Sequence, residues 1–177
     1  MSILINYKSK ISKKNSSNLV FFVNEKFNIF SLKKYISSQE YSFLSDLIKS
    51  RDIKKKIIDI DINSKKKIIL ISLKENLTSS DAENLGAKFY DLFKETKKSE
   101  YCLVSDSIIG KSNNIVGYFL HGLKLKSYLF EKYKTKKNKV NISIIVTGKN
   151  KPSLKEQIKF KALEEGTFFA RDLVSEP

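Results

Sequence analysis

Apolar residues recur along this chain with two different periods, and the alternation of those periods predicts interleaved strands and helices. Residues 2–7 and 19–24 are short apolar runs between polar, lysine-rich connectors, and both read as strands. Across 32–48, Ile36, Phe43, Leu44, Leu47 and Ile48 share one helical stripe. Ile58, Ile60 and Ile62 then alternate with Asp59 and Asp61, the period of a strand with one wet face. Turn chemistry at Asn63-Ser64-Lys65 precedes a continuous apolar run, Ile68-Ile69-Leu70-Ile71, within 67–73. A half-wet strand is thus expected to pair through a hairpin with a strand buried on both faces.

Ser80-Asp81-Ala82-Glu83 has the spacing of a capping box, in which a hydroxyl and a carboxylate satisfy opposing backbone donors. The helix it opens carries Ala82, Leu85, Gly86, Phe89 and Phe93 on one face. Residues 101–104 form a buried-type strand, and 113–134 a long helix striped with Val116, Phe119, Leu120, Leu123 and Phe130. A strand over 140–146 ends before Gly148. Pro152 and a second box, Ser153-Leu154-Lys155-Glu156, open a final helix over 153–176, with Leu154, Ile158, Ala162, Phe169 and Leu173 as its apolar stripe. Such interleaving predicts a layered α/β sandwich around a mixed, mostly parallel sheet. There is no internal repeat.

Composition narrows the classes. The chain has 177 residues, enough for one domain with a sizeable core. One cysteine, Cys102, excludes an internal disulfide, and with one histidine, His121, the chain has no Cys/His zinc cluster. No apolar run approaches the roughly 18 residues of a membrane span. The first residues lack the basic and apolar regions of a secretory signal, so a cytoplasmic setting is expected, with no membrane partner.

With 34 basic and 19 acidic side chains the net charge is +15. Only Arg51 and Arg171 are arginine, the residue whose planar fork suits phosphate and base recognition. Lysine arrives alongside abundant isoleucine, asparagine and phenylalanine, which A/T-rich coding produces without any functional demand. The alternative is a nucleic-acid-binding module. Lys132, Lys134, Lys136, Lys137 and Lys139 crowd one end of the 140–146 strand, and Lys149, Lys151 and Lys155 the other. A basic patch would follow if the fold joined those ends.

Local chemistry is sparse. Gly110-Lys111-Ser112 sits between a strand and a helix, but a phosphate-binding loop needs glycine where Ser105 stands. Asp59, Asp61 and Asn63 imitate a calcium loop, yet Ser64 and Leu70 occupy its glycine and bidentate-glutamate positions. His121 reads as a surface or packing residue and Cys102 as a small core hydrophobe. Glu164-Glu165 and Asp81/Glu83 read as solvated helix faces. No nucleophile, base and oxyanion site assemble, so no catalytic, cofactor or metal residue is assigned.

Two segments carry a resemblance. Tyr128-Leu129-Phe130-Glu131-Lys132-Tyr133-Lys134-Thr135 is similar to the Y-x-F-[DE]-x-Y-K-T pattern of the leucyl (cytosol) aminopeptidase family. Ala170-Arg171-Asp172-Leu173-Val174-Ser175-Glu176-Pro177 resembles that family's A-R-D-L-V-N-x-P helix, which joins its two domains. The resemblance implies a macro-domain-like amino-terminal domain over 1–150 and a helix over 151–177 leading to a catalytic domain. It implies two divalent metals, zinc or manganese, in that second domain, whose N-T-D-A-E-G-R signature this sequence does not contain. It also implies a homo-hexamer built mainly by catalytic domains, with this domain structural. The family's G-L-G turn is replaced by Ser72-Leu73-Lys74-Glu75. With six glycines and no G-x-G, the chain has no glycine-rich loop of the kind that holds ADP-ribose.

The final helix then has a specific expectation. Ending at Pro177, the chain looks cut from a longer protein. Phe168, Phe169, Leu173 and Val174 are expected to meet the catalytic domain, with order through about Ala162 and a substitute contact or self-association beyond it.

Overall fold

The computed structural model describes residues 2–9, 18–50, 55–92, 98–108, 114–130, 132–133 and 141–176. Strands β1 (Ser2–Lys8), β2 (Asn18–Asn24), β3 (Ile57–Asn63), β4 (Lys66–Leu73), β5 (Lys98–Val104) and β6 (Asn141–Thr147) form one sheet in the order β1-β6-β5-β2-β4-β3. Every neighbouring pair is parallel except β3 and β4. That pair is the expected hairpin: Asn63 Oδ1 accepts the Lys65 amide to close the turn, and a register shift falls between Asp61 and Asn63. Asp59 and Asp61 pair with Lys67 at 3.3 and 3.4 Å, so the acidic alternation is a wet strand face.

Helices cover both faces, giving the three layers. Helices α2 (Ser79–Asp91) and α3 (Ile115–Lys126) lie on one side, where Phe89 and Phe119 pack with Val20, Phe22, Leu103 and Ile144. Their rings interlock: Phe22 meets Phe119 edge-on at 5.3 Å, and Phe89 meets Phe119 at 5.4 Å. On the other side a 3-10 turn (Phe30–Lys34), α1 (Ser38–Ser50) and the link between them place Leu32, Leu44 and Ile36 over Phe21, Ile68 and Leu70. Helix α4 (Leu154–Ser175) lies outside this sandwich, against α3.

Four expectations are corrected. The single helix over 32–48 is broken at Tyr35–Ser37, because Ser37 and Glu40 form a capping box of their own, with bonds of 2.9 and 3.3 Å. Glu40 also holds Lys66 at 2.6 Å. Burial opposes its charge, but Lys66 and Ser37 outweigh that and hold the carboxyl below its usual range. Helix α2 is capped by Thr78 and Asp81 rather than Ser80 and Glu83. Helix α3 stops at Lys126, where Ser127 turns its hydroxyl back to the Lys124 carbonyl at 2.7 Å. Phe130 therefore lies beyond the helix. Helix α4 continues to Ser175, past the expected limit near Ala162. Its own box, Ser153 with Glu156, forms as expected. Phe93, Gly110-Lys111-Ser112 and Val140 lie outside the described residues.

The α2–α3 crossing rests on two glycines. A methyl group on Gly86 would land in the Phe119 backbone, and one on Gly122 in the Glu83 backbone. Main chain meets main chain there, so no rotamer change relieves the clash. Gly86→Ala and Gly122→Ala should each destabilise by about 1–3 kcal/mol, the usual cost of overpacking. Gly166, on α4, has open space around it, and Gly166→Ala should stabilise by up to about 1 kcal/mol. Denaturant midpoints of the three variants check this, and equal shifts in all three would refute the close-contact account.

Candidate functional site

Strands β2 and β4 are neighbours in the sheet, but their chains leave it in opposite directions. After β2 the chain passes to the α1 face, and after β4 to the α2 face. A crevice opens outside the carboxyl ends of parallel strands wherever connections diverge in this way. Here it is an open cleft of about 540 Å³. Phe22, Leu73, Ile108 and Ile115 make its apolar wall, while Glu25, Lys26, Lys74 and Glu75 supply two charges of each sign. Ser107 fixes the wall: its hydroxyl accepts the Phe22 amide at 2.8 Å and donates to the Val104 carbonyl at 2.6 Å.

The loop after β2 spends its amides on itself. Phe27 N–H bonds the Asn24 carbonyl, Asn28 N–H bonds Asn24 Oδ1, and Phe30 N–H bonds Asn28 Oδ1, each at 2.9 Å. Phe27 adopts a φ of 50°, in the left-handed region. Those amides are not turned into the cleft, as phosphate cradling requires. Among the described residues no group of three His, Cys, Asp or Glu could hold a metal ion.

The second constellation lies under α4. Phe160, Glu164, Phe168, Asp172 and Glu176 recur every four residues, so they share one face. That face points inward. Phe160 packs edge-on to Tyr118 at 5.2 Å and against His121 at 5.2 Å. Glu164 lies 3.6 Å from His121 Nδ1. Phe168 stacks on Tyr128, whose hydroxyl donates to Asp172 at 2.6 Å. Desolvation and Asp172 together push the Tyr128 phenol up. Arg171 donates to the Leu125 carbonyl at 2.8 Å, and Lys132 pairs with Glu176. Burial pulls the Lys124 ammonium down against the opposing pull of Glu164. The Tyr7 phenol is pushed up to about 12 by burial and by the Glu164 charge.

The apolar stripe of this helix faces outward. Leu154, Ile158, Phe169 and Leu173 are 76%, 69%, 65% and 58% exposed, and Val174 is exposed as well. Phe168 is half-buried, so the expected set of four outward residues loses that member. His121 is a packing residue, against Phe160. It is 7% exposed, and Glu83 and Glu164 face its two nitrogens, which sequence spacing did not reveal because the three residues come from three helices. Cys102 is buried as expected, and burial pushes its thiol up.

The candidate basic residues that fall among the described residues are spread out. Lys149 and Lys155 are exposed near the start of α4, and Lys151 reaches the Lys8 carbonyl beside them. Lys132 lies by Glu176 at the opposite end, and 22 helical residues span about 33 Å. Lys134, Lys136, Lys137 and Lys139 fall outside the described residues.

Comparison with known proteins finds the fold and not a sequence relative. No protein-family model matches the chain, and no curated protein does. Among solved structures, a mutant of tomato leucine aminopeptidase is similar over 99% of this chain, with a TM-score of 0.74 and 17% identity. Cytosol aminopeptidase from Coxiella burnetii matches over 97%, with a TM-score of 0.56 and 16% identity. The chain spans 39% of the first enzyme's length and 33% of the second's. The macrodomain of Thermus aquaticus DarG is covered completely, at a TM-score of 0.53 and 9% identity. These likenesses agree with the macro-like sandwich and the aminopeptidase resemblance.

The two faces of α4 separate by mutation. Phe168→Ser should cost about 1–3 kcal/mol through the lost Tyr128 contact, while Phe169→Ser should stay within about 0.5 kcal/mol of the parent. Ser107→Ala strands the buried Phe22 amide and should cost about 1–3 kcal/mol. Thermal or chemical unfolding reads all three, and a large loss in Phe169→Ser would show that the outward stripe belongs to this core.

Proposed function

We propose that this chain is the amino-terminal, non-catalytic domain of a metallo-aminopeptidase of the leucyl (cytosol) type, with a division near residue 150 and a following helix that joins it to a catalytic domain. The observation that carries this reading is the inverted helix α4. Its inner face is fastened by aromatic and charged contacts, and its more apolar face is left outward. An exposed apolar stripe of this length marks a surface that another protein layer covers. The fold's likeness to aminopeptidases of which it spans 39% and 33% supplies the kind of layer: the remainder of such an enzyme.

The two segments that resemble the family support the same reading, because they touch. Tyr128 of the first meets Asp172 and Arg171 of the second, through the 2.6 Å bond and a guanidinium 5.4 Å from its ring. Their pairing fixes the direction in which the joining helix leaves the domain. The domain's work is then architectural: it packs on the catalytic domain, shapes access to its active site and helps place subunits in a cytoplasmic homo-hexamer.

Two divalent metals, zinc or manganese, belong to the catalytic domain in this reading. The described residues here do not fit them, since no three metal-ligating side chains converge, and no chemical step is assigned to this chain. The purified chain should show no turnover of a leucyl anilide with zinc or manganese added. Hydrolysis above the metal-only background that follows the protein through purification would overturn the proposal.

A further inference from the structure

Helix α4 is held to the body of the fold through a buried histidine whose two nitrogens both look at carboxylates. His121 Nδ1 lies 3.6 Å from Glu164 of α4, and Nε2 lies 3.9 Å from Glu83 of α2. The ring stands on α3 between them, with Phe160 of α4 packed on its face. A neutral imidazole has one N–H and one lone pair, so it can donate to only one of two carboxylates. The other carboxylate then faces a lone pair, and Nδ1 indeed has no hydrogen-bond partner at the present spacing. An imidazolium donates from both nitrogens and draws both carboxylates in with charge-assisted bonds.

We propose that His121 is a pH-responsive clasp, which tightens α4 against α2 and α3 when protonated and releases it when neutral. Protonation joins three helices at one point. Imidazole is the side chain whose ordinary charge change falls between about pH 5 and 8. Facing it or its partners are Glu83 from α2, Glu164 from α4, Lys124 from α3 and, through Glu164, Tyr7 from β1. Tyr7 titrates near 12, far outside that range. The lower fastenings of α4 stay out of it as well, because Tyr128 and Lys132 are both held above their ordinary values. Lys161 and Glu165, one helical turn apart, pair with each other on the exposed side. Docking of α4 is therefore firmest on the acidic side of neutrality and loosens as pH rises. The clasp is a property of this chain and does not depend on the aminopeptidase reading.

Hydrogen exchange of the 177-residue chain at pH 5.5 and 8.0, corrected for the intrinsic pH dependence of exchange, tests it. Protection of peptides within 154–175 should fall by about tenfold between the two pH values, equivalent to about 1.4 kcal/mol. Peptides from β2 and β4 should not change. His121→Gln and Glu164→Gln should both abolish the difference, and the second keeps the test open if the first does not fold. Lys124→Met separates the ammonium from the imidazole and should leave the pH difference in place. Equal protection at both pH values in the parent chain would overturn the clasp, as would a tenfold change that survives in Glu164→Gln.

Discussion

The contact on which the rest of this fold depends is the crossing of α2 and α3 at Gly86 and Gly122. There the two backbones meet without side chains between them. The closeness brings both helices down onto the sheet together, so Phe89 and Phe119 can share one aromatic cluster over Phe22 and Tyr101. It also fixes what stands above. Gly122 is pressed on the Glu83 backbone, and the residue before it, His121, is thereby carried to the Glu83 carboxylate. Gly117, a turn and a half earlier, leaves room for the Phe160 ring of α4. Two glycines set the α2–α3 layer, and a third admits the helix outside it.

Helix α4 is bound in an unusual manner for a surface helix, whose apolar stripe ordinarily faces the core. Hydrophobic contact is non-directional and tolerates rotation about the helix axis. The bonds from Tyr128 to Asp172 and from Arg171 to the Leu125 carbonyl are directional, and they lock the azimuth of α4. Locking the azimuth is what gives the outward stripe a defined heading. An apolar inner face would have held the helix as well but would have aimed its opposite face less sharply.

The strands were legible because each is an uninterrupted apolar run or a strict alternation between polar connectors, and nothing competes with that signal. The antiparallel hairpin and the mostly parallel order followed from the same pattern. Helix ends were harder. No glycine or proline marks the stop after Lys126, since Ser127 ends α3 by bonding back to its own turn. The break before α1 was present in the sequence as Ser37-Ser38-Gln39-Glu40, but an apolar stripe spanning it outweighed the capping spacing. The heading of α4 was legible at Phe169, Leu173 and Val174, which are exposed, while Phe168 turns inward onto Tyr128, a partner on another segment that leaves no local signal. The crevice and the His121 cluster are assembled from segments far apart in the chain, so neither leaves a local signature. The aminopeptidase resemblance was legible in two motifs, and their contact across the fold explains why those residue types occur together.

The pairing of β1 with β6 has a consequence for how the molecule is made. β1 holds the sheet's outer edge, and its parallel register sets Ser2 beside Asn141 and Lys8 beside Thr147. A ribosome synthesising 5–20 residues per second needs on the order of ten seconds to travel from one partner to the other. Through that interval Ile3, Ile5 and Tyr7, which finish in or against the main core, have no strand to join. Of the six strands β1 is made first and paired last, and it stays an unpaired apolar segment until β6 has been synthesised.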